Sequence, residues 1–340
     1  MSGVIGILVA AVTALQGPLA SSSPTRHEFV RPAMGTEFRI VLYAEAENSA
    51  AAHAAADAAF ERIDELESTL SDYDPESELS RLARASGTGT WVPVSDDLWL
   101  VIQLSQTWAV RTQGAFDITI GPVTRLWRWA NRRGRTMPPG RVAQAMESVG
   151  YQKLEMDPTT RSVRLTVTGM RLDAGGIGKG YAADEALALL RSHGFTRSLV
   201  DAGGDLRVGD APPDRQGWEV AVPELDERRY PSLAKTQLRN TAVATSGDTY
   251  RHTTDDAGVR RSHILDPRRG HSSSSERLVT VFAPTAAIAD LLASAASVMS
   301  IDELERLQDH SSQDHLIRIM EPSQDGIGWS LRLINSTGTN

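Results

Sequence analysis

Between Thr36 and Tyr43 the apolar residues Phe38, Ile40 and Leu42 alternate with Glu37, Arg39 and Val41, the period of two expected of a half-buried strand. Asn48-Ser49 then offers a cap for an alanine-rich helix to about Leu70, with Ala52, Ala56, Ala59, Ile63, Leu66 and Leu70 on its apolar face. Ser95-Asp96-Asp97 caps a second helix, whose buried face carries Leu98, Val101, Ile102, Ser105 and Ala109 and which stops at Gly114. Leu154–Met156 and Val163–Val167, joined by Asp157-Pro158-Thr159-Thr160, read as a hairpin. A helix is expected from about Gly180 to His193, ending at Gly194, with strands at Ser198–Val200 and around Trp218-Val220-Val222. Leu278–Phe282 reads as a strand feeding a helix from Thr285 to Met299, and Ile317–Met320 and Trp329–Leu333 as two closing strands. The Pro/Gly/Arg-rich stretches at 131–140 and 208–217 read as surface loops. No repeat is evident, and the pattern predicts an α+β fold with helices packed on a mixed or antiparallel sheet.

Composition narrows the function. Of the 340 residues 41 % are hydrophobic, enough to bury a core, so a wholly disordered chain is excluded. Lys and Arg number 35 against 43 Asp and Glu, a net −8, which argues against nucleic acid as the main partner. The absence of cysteine excludes disulfides, thiol catalysis, Cys-zinc sites and a lipid carried on an N-terminal cysteine. Val4 to Ala20 is apolar and is broken by Ser21-Ser22-Ser23-Pro24, a signal-like segment that lacks basic residues ahead of it and leads to an expectation of export. Residues 1–28 are therefore expected to be a signal-like or anchor segment, and 29–335 a single domain.

The densest unusual segment is Asp173-Ala174-Gly175-Gly176-Ile177-Gly178-Lys179-Gly180-Tyr181, where glycines let backbone approach a ligand and a helix start favours an anion. It fails as a Walker A loop, with Asp173 and Gly180 at positions that need Gly and Ser or Thr. Gly178 to Ala183 fits the looser G-x-G-x-x-[GA] dinucleotide pattern with Asp201 some 20 residues on, but no strand precedes it; a plain turn at a helix start is the bland alternative. Asp201-Ala202-Gly203-Gly204-Asp205 reads, alone, as a tight turn. Asp290 stands inside Ile288-Ala289-Asp290-Leu291-Leu292-Ala293-Ser294, where a lone buried carboxylate is expensive. Ser294, four positions on, shares its face, and two hard oxygens suit Mg²⁺; the alternative is a solvated Asp on an amphipathic helix. Ser262-His263-Ile264-Leu265-Asp266-Pro267 follows Thr245 to Arg251 and sets a His and an Asp on a short extended piece, although a lone His is more often structural. Neither H-E-x-x-H nor G-x-S-x-G occurs.

The order of these motifs carries more than any one of them. Met34-Gly35-Thr36, Ser71 to Leu79, Gly114-Ala115-Phe116-Asp117, Asp173–Tyr181, Ala202–Asp205, Ser246-Gly247-Asp248, Ser262–Pro267 with Gly270, and Ala289–Ser294 occur in series. The series resembles the FAD:protein FMN transferase (ApbE) family over about residues 30–300. The resemblance implies a single α+β domain that uses Mg²⁺ to split FAD, transfers FMN through a phosphoester to a Thr or Ser hydroxyl of an acceptor protein, and releases AMP. By similarity Asp290, Ser294 and the Gly175 carbonyl would hold the metal. Met34, Tyr73, Ala115, Phe116, Asp117, Asp173, Gly176, Lys179 and Ile264 would line the FAD site. His263 is the candidate general base, with Asp266 as a possible sharer of that role. The chain departs from the family pattern at Ala83, where Asn is common, at Trp127-Arg128-Trp129-Ala130, at Asp201, and at Ser294, where Thr is frequent. Three alternatives stand beside the transferase: a Mg²⁺-dependent FAD pyrophosphatase, a non-catalytic FAD holder, and a dinucleotide-dependent oxidoreductase.

Overall fold

Eight strands hydrogen-bond in the order in which the chain makes them, every neighbouring pair antiparallel. They are β1 (Thr25–Ala33), β2 (Thr36–Ala44), β3 (Ser198–Ala202), β4 (Leu206–Val208), β5 (Ala242–Gly247), β6 (Leu278–Ala283), β7 (Leu316–Pro322) and β8 (Trp329–Asn335). This computed structural model describes residues 23–247, 252–254, 260–272, 276–309, 315–323 and 328–335. The apolar segment at Val4–Ala20 and residues 248–251 of the Thr245–Arg251 motif lie outside the described residues. Strand β1 starts at Thr25, so residues 25–28 belong to the sheet. Among the described residues no helix is long and apolar enough to cross a membrane.

The expected α+β architecture is the one observed, and the sheet is antiparallel throughout. The helices are α1 (Ser49–Leu70), α2 (Glu78–Arg84), α3 (Asp96–Arg111), α4 (Gly121–Asn131), α5 (Pro139–Met146), α6 (Gly178–Ser192), α7 (Ala286–Ala296) and α8 (Ile301–Asp309). Helix α3 starts where Ser95 accepts a hydrogen bond from Leu98 N at 3.3 Å, and it is followed by Gly114 at φ +81°. Leucine, alanine and isoleucine faces of α1, α6 and α7 pack on one side of the sheet, against Phe38, Ile40, Leu42, Val200, Ala244, Val279, Val281 and Ile319. On the opposite side a two-stranded hairpin, Trp218–Leu225 with Pro231–Leu238, covers Val41, Val208 and Val243. Val41 therefore does not belong to the polar face of β2, as the alternation suggested. It seeds a second, smaller core, and the sheet is covered on both sides.

Two positions show why the helices sit where they do. A Cβ on Gly180 would fall 2.2 Å from the Ala286 carbonyl oxygen, so α6 meets the start of α7 backbone to backbone. At that start Asp184 accepts hydrogen bonds from Ala286 N and Ala287 N, both 2.9 Å, and Thr285 accepts from Ile288 N at 3.4 Å. These bonds satisfy amides that a helix leaves without internal partners. Gly180 thus serves helix packing, and the chain preceding α6 is a turn and not a strand. The dinucleotide-loop alternative loses its structural context.

Candidate active site

The loop from Asp173 to Ile177 is clamped at both ends before α6 begins. Asp173 N donates to the Ile118 carbonyl at 2.7 Å, and Gly178 N to the Ala174 carbonyl at 2.7 Å. Asp173 Oδ1 accepts from Gly175 N at 2.8 Å, holding the turn, while its Oδ2 accepts from Arg128 Nη2 at 3.2 Å. The other arm of Arg128 reaches Asp72, and its guanidinium lies 4.2 Å from the centre of the Tyr73 ring. Arg128 therefore ties three separate segments together and fixes an aromatic face at the mouth of the site. Tyr73 itself is 72 % exposed, open to stack on a planar ligand.

These segments enclose a cleft of about 450 Å³. Tyr73, Ala115, Phe116, Asp117, Asp173, Gly175, Gly176, Lys179, His263, Ile264, Asp290 and Ser294 all contribute to its wall. Met34 does not. It lies with Gly35 and Glu67 around a separate shallow depression, where its backbone N–H donates to Glu67 Oε2 at 2.8 Å. Asp117 reaches the cleft, but its oxygens are already committed to Thr119 N, Thr119 Oγ1 and Tyr151 N at 2.7–2.8 Å. Its carboxylate thus braces the loop. Asp266 is likewise tied, accepting from Arg268 N and Nε at 3.0 and 2.9 Å, and does not line the cleft. That leaves His263, which is exposed at the cleft, as the base candidate from that motif.

Asp290 is 4 % exposed in a helix whose other residues, Ser294 apart, are apolar and buried. Its Oδ2 receives two long contacts, 3.4 Å from Lys179 Nζ and 3.4 Å from Gly180 N. Lys179 makes its short bond elsewhere, 2.7 Å to Asp205 Oδ2. Burial pushes the Asp290 carboxyl up to about 7, the Asp205 charge adds to this, and Lys179 opposes it. Burial also works against the Lys179 ammonium, but the charges of Asp290 and Asp205 outweigh it and hold its pKa above the usual lysine value. The ammonium is therefore charged, and Asp290 is the under-compensated member of the trio.

A buried carboxylate with two long contacts keeps oxygen lone pairs available to a further ligand. Ser294 stands one turn along α7, so close to the glycine loop that a Cβ on Gly176 would sit 3.0 Å from Ser294 Oγ. Gly175 forms the facing wall. One carboxylate, one hydroxyl and one backbone carbonyl are hard oxygen donors of the kind Mg²⁺ takes, and Mg²⁺ completes its shell with waters and phosphate oxygens. The residues present fit the ion.

Sequence reasoning missed Arg128 and Asp205 as site residues. Asp205 ends a glycine turn that the sequence shows, and Arg128 sits in Trp127-Arg128-Trp129-Ala130, which stands out only as a departure from the family pattern. Nothing in the spacing links Arg128 to Asp72 or Asp173, 56 and 45 residues away.

Comparison with known proteins agrees with the geometry. The model of the ApbE family matches residues 34–317. A FAD:protein FMN transferase of Klebsiella pneumoniae is 31 % identical over 263 residues, covering 76 % of this chain and 74 % of its own. One from Treponema pallidum is 28 % identical over 315 residues, covering 88 % and 85 %. The crystal structure of the ApbE protein of Thermotoga maritima superposes with a TM-score of 0.76 at 28 % identity, over 90 % of this chain and 96 % of that one. The apo flavinyl transferase ApbE of Pseudomonas stutzeri, at 23 % identity and a TM-score of 0.79, shares the fold over 94 % and 97 %. With its motifs in order, most of them at one cleft, and the family model matched across 34–317, the chain belongs to the ApbE family.

Proposed function

We propose that the chain is a FAD:protein FMN transferase that uses Mg²⁺, modifies a Thr or Ser hydroxyl of an acceptor protein and releases AMP. The observation that carries this reading is Asp290: a buried carboxylate on the cleft wall, short of partners, with a hydroxyl one turn away and a glycine loop opposite. The names of relatives such as those from K. pneumoniae and T. pallidum support the flavin chemistry.

In this reading Tyr73, with Arg128 behind it, stacks on a flat ring of FAD at the cleft mouth. Phe116 and Ile264 provide apolar wall, and the backbone of Gly175 and Gly176 leaves room for the pyrophosphate. Asp290, Ser294 and the Gly175 carbonyl would hold Mg²⁺, whose charge would offset that of the pyrophosphate. Lys179, fixed by Asp205, supplies a second positive charge beside that position. An imidazole nitrogen of His263 takes the proton of the acceptor hydroxyl. Its oxygen then bonds to the FMN-side phosphorus, and the phosphorus–oxygen bond to AMP breaks.

The test is intact-mass spectrometry after incubation with FAD, Mg²⁺ and a small acceptor domain bearing a Thr or Ser, with AMP followed in parallel. One added FMN per acceptor with equimolar AMP, abolished by chelator, is the expected result. AMP and free FMN without labelling would make the chain a pyrophosphatase. The His263→Ala variant should bind FAD normally and lose transfer by about 10²-fold or more; undiminished transfer removes His263 as the base.

A further inference from the structure

Against the flavin cleft lies a second cavity of about 430 Å³, which shares Tyr73 and Arg128 with it. Its wall carries five guanidinium groups, those of Arg84, Arg125, Arg128, Arg132 and Arg171, and one carboxylate, that of Asp72. The charge is written into one stretch of sequence. Between Asp117 and Glu147 there is no Asp or Glu, while Arg125, Arg128, Arg132, Arg133, Arg135 and Arg141 all fall there, in a chain of net −8.

The positive charge at this cavity is not neutralised from within. Arg128 is satisfied by Asp72 and Asp173. Arg84 reaches the Pro75 carbonyl at 2.5 Å and only approaches Glu76 at 3.8 Å. Among the described residues, the side chains of Arg125, Arg132 and Arg171 make neither a hydrogen bond nor an ion pair. Arg171 is half-buried, and burial together with the neighbouring charge of Arg125 makes its guanidinium less favourable than a free one. Five guanidinium groups gathered around a concavity with one carboxylate in its wall leave an excess of positive charge, the form of a site that receives its anions from outside.

Three observations define the anion. Guanidinium forks pair carboxylates and phosphates through two oxygens at once. The cations run from exposed Arg84, Arg125 and Arg132 to recessed Arg128 and Arg171, so the ligand has to project into the cavity, which a flat anionic membrane does not do. And the cavity adjoins the cleft through Tyr73 and Arg128, so one extended polypeptide, at 3.3–3.6 Å per residue, spans both within a few residues. We infer that this arginine-lined cavity is the docking site for aspartate and glutamate side chains of the acceptor polypeptide, next to the hydroxyl that the cleft modifies. The inference rests on the transferase reading for the identity of the polypeptide, and on the cavity alone for its acidity.

The test uses the full chain loaded with FAD in chelator, and two rhodamine-labelled peptides of one Thr-containing core flanked by aspartates or by asparagines. Fluorescence anisotropy should show the aspartate peptide binding at least tenfold more tightly, with the advantage falling as salt rises. In the R125E/R132E double variant, both changes being at exposed positions, the preference should vanish while the FAD dissociation constant stays within twofold and the thermal midpoint is unchanged. Arg132→Ser is the milder variant, expected to reduce the preference partway. Equal binding of the two peptides, or a preference that survives R125E/R132E, overturns the inference. Displacement of the aspartate peptide by AMP or inorganic phosphate at matched ionic strength overturns it in favour of a phosphate subsite. Arginine-dependent sedimentation with phosphatidylglycerol vesicles, without peptide discrimination, overturns it in favour of a lipid surface. With Mg²⁺ added, binding of the aspartate peptide while no hydroxyl is ever labelled would sink the transferase reading and leave the cavity assignment standing. Equal labelling of both peptides would do the reverse.

Discussion

Replacing Asp290 with Asn separates the charge of this group from its shape. In the folded, metal-free protein the carboxyl is buried and its pKa is raised from 3.8 to about 7. A rise of that size corresponds to roughly 4 kcal/mol against the charged form. Lys179 at 3.4 Å recovers too little to reverse it, because its short bond goes to Asp205. The sign follows from proton counting. Between about pH 4 and pH 7 the folded chain keeps a proton on Asp290 that the unfolded chain has lost, so this group makes stability fall as pH rises through that window. Asparagine fills the same space, can still accept from Lys179 and Gly180, and has no charge to bury. Asp290→Asn should therefore be more stable than the parent by about 2–4 kcal/mol at pH 8 in chelator, and the gap should shrink by more than half at pH 5. Urea unfolding at the two pH values measures both. Addition of Mg²⁺ and FAD should then invert the order. A ligand at 1,000 times its dissociation constant adds about 4.1 kcal/mol to the parent, more than the predicted gap, and the variant should gain little. A variant less stable than the parent at pH 8 without metal, or a gap indifferent to pH, would refute the reasoning, for it would mean that the Lys179–Asp290 pair is a structural ion pair and not a waiting donor.

Two further outcomes follow from contacts already described. Gly180→Ala should cost about 3 kcal/mol or more in urea unfolding, since its Cβ would overlap the Ala286 carbonyl at 2.2 Å. Gly178→Ala, whose Cβ would meet Ala174 Cβ at an ordinary 3.7 Å, should be neutral or slightly stabilising, and equal behaviour of the two would discount the backbone packing argument. Arg128→Lys keeps the charge but cannot hold Asp72 and Asp173 together while lying flat on Tyr73. FAD affinity by flavin fluorescence should fall about tenfold or more, roughly 1.4 kcal/mol, and unchanged affinity would mean that Arg128 does not organise the cleft mouth.

Some elements could be read directly because their burial is one-sided. α1 and α3 kept the predicted faces, Ser95 caps α3 as expected while Asn48 makes no side-chain cap bond at the start of α1, and the hairpin at Leu154–Asp157 and Ser162–Leu165 formed around its turn. Others could not. Strand β1, TRHEFVRPA in part polar on both faces, exists because it pairs along its whole length with β2, from Thr25 opposite Ala44 to Ala33 opposite Thr36. Helix α4 fully buries only Gly121, Val123 and Ala130 and α5 only Val142, and with α4 running to Asn131 and α5 starting at Pro139 the stretch read as a loop from 131 to 140 is narrower than expected.

The sequence by itself determined the class of the fold, the family, and the residue types that oxygen-ligand and flavin chemistry require, because periodicity and motif order are properties of a line. Which of those residues act was decided in three dimensions. Asp117 and Asp290 are both buried aspartates beside the cleft, yet one is saturated by Thr119 and Tyr151 and the other left short of partners. Met34 opens a motif of the series but stands apart from the cleft, and Arg128 belongs to no motif but joins Asp72, Tyr73 and Asp173. The reason is physical: a carboxylate's reactivity depends on which donors and charges lie within a few ångströms, and burial removes the water that would otherwise make its surroundings equivalent.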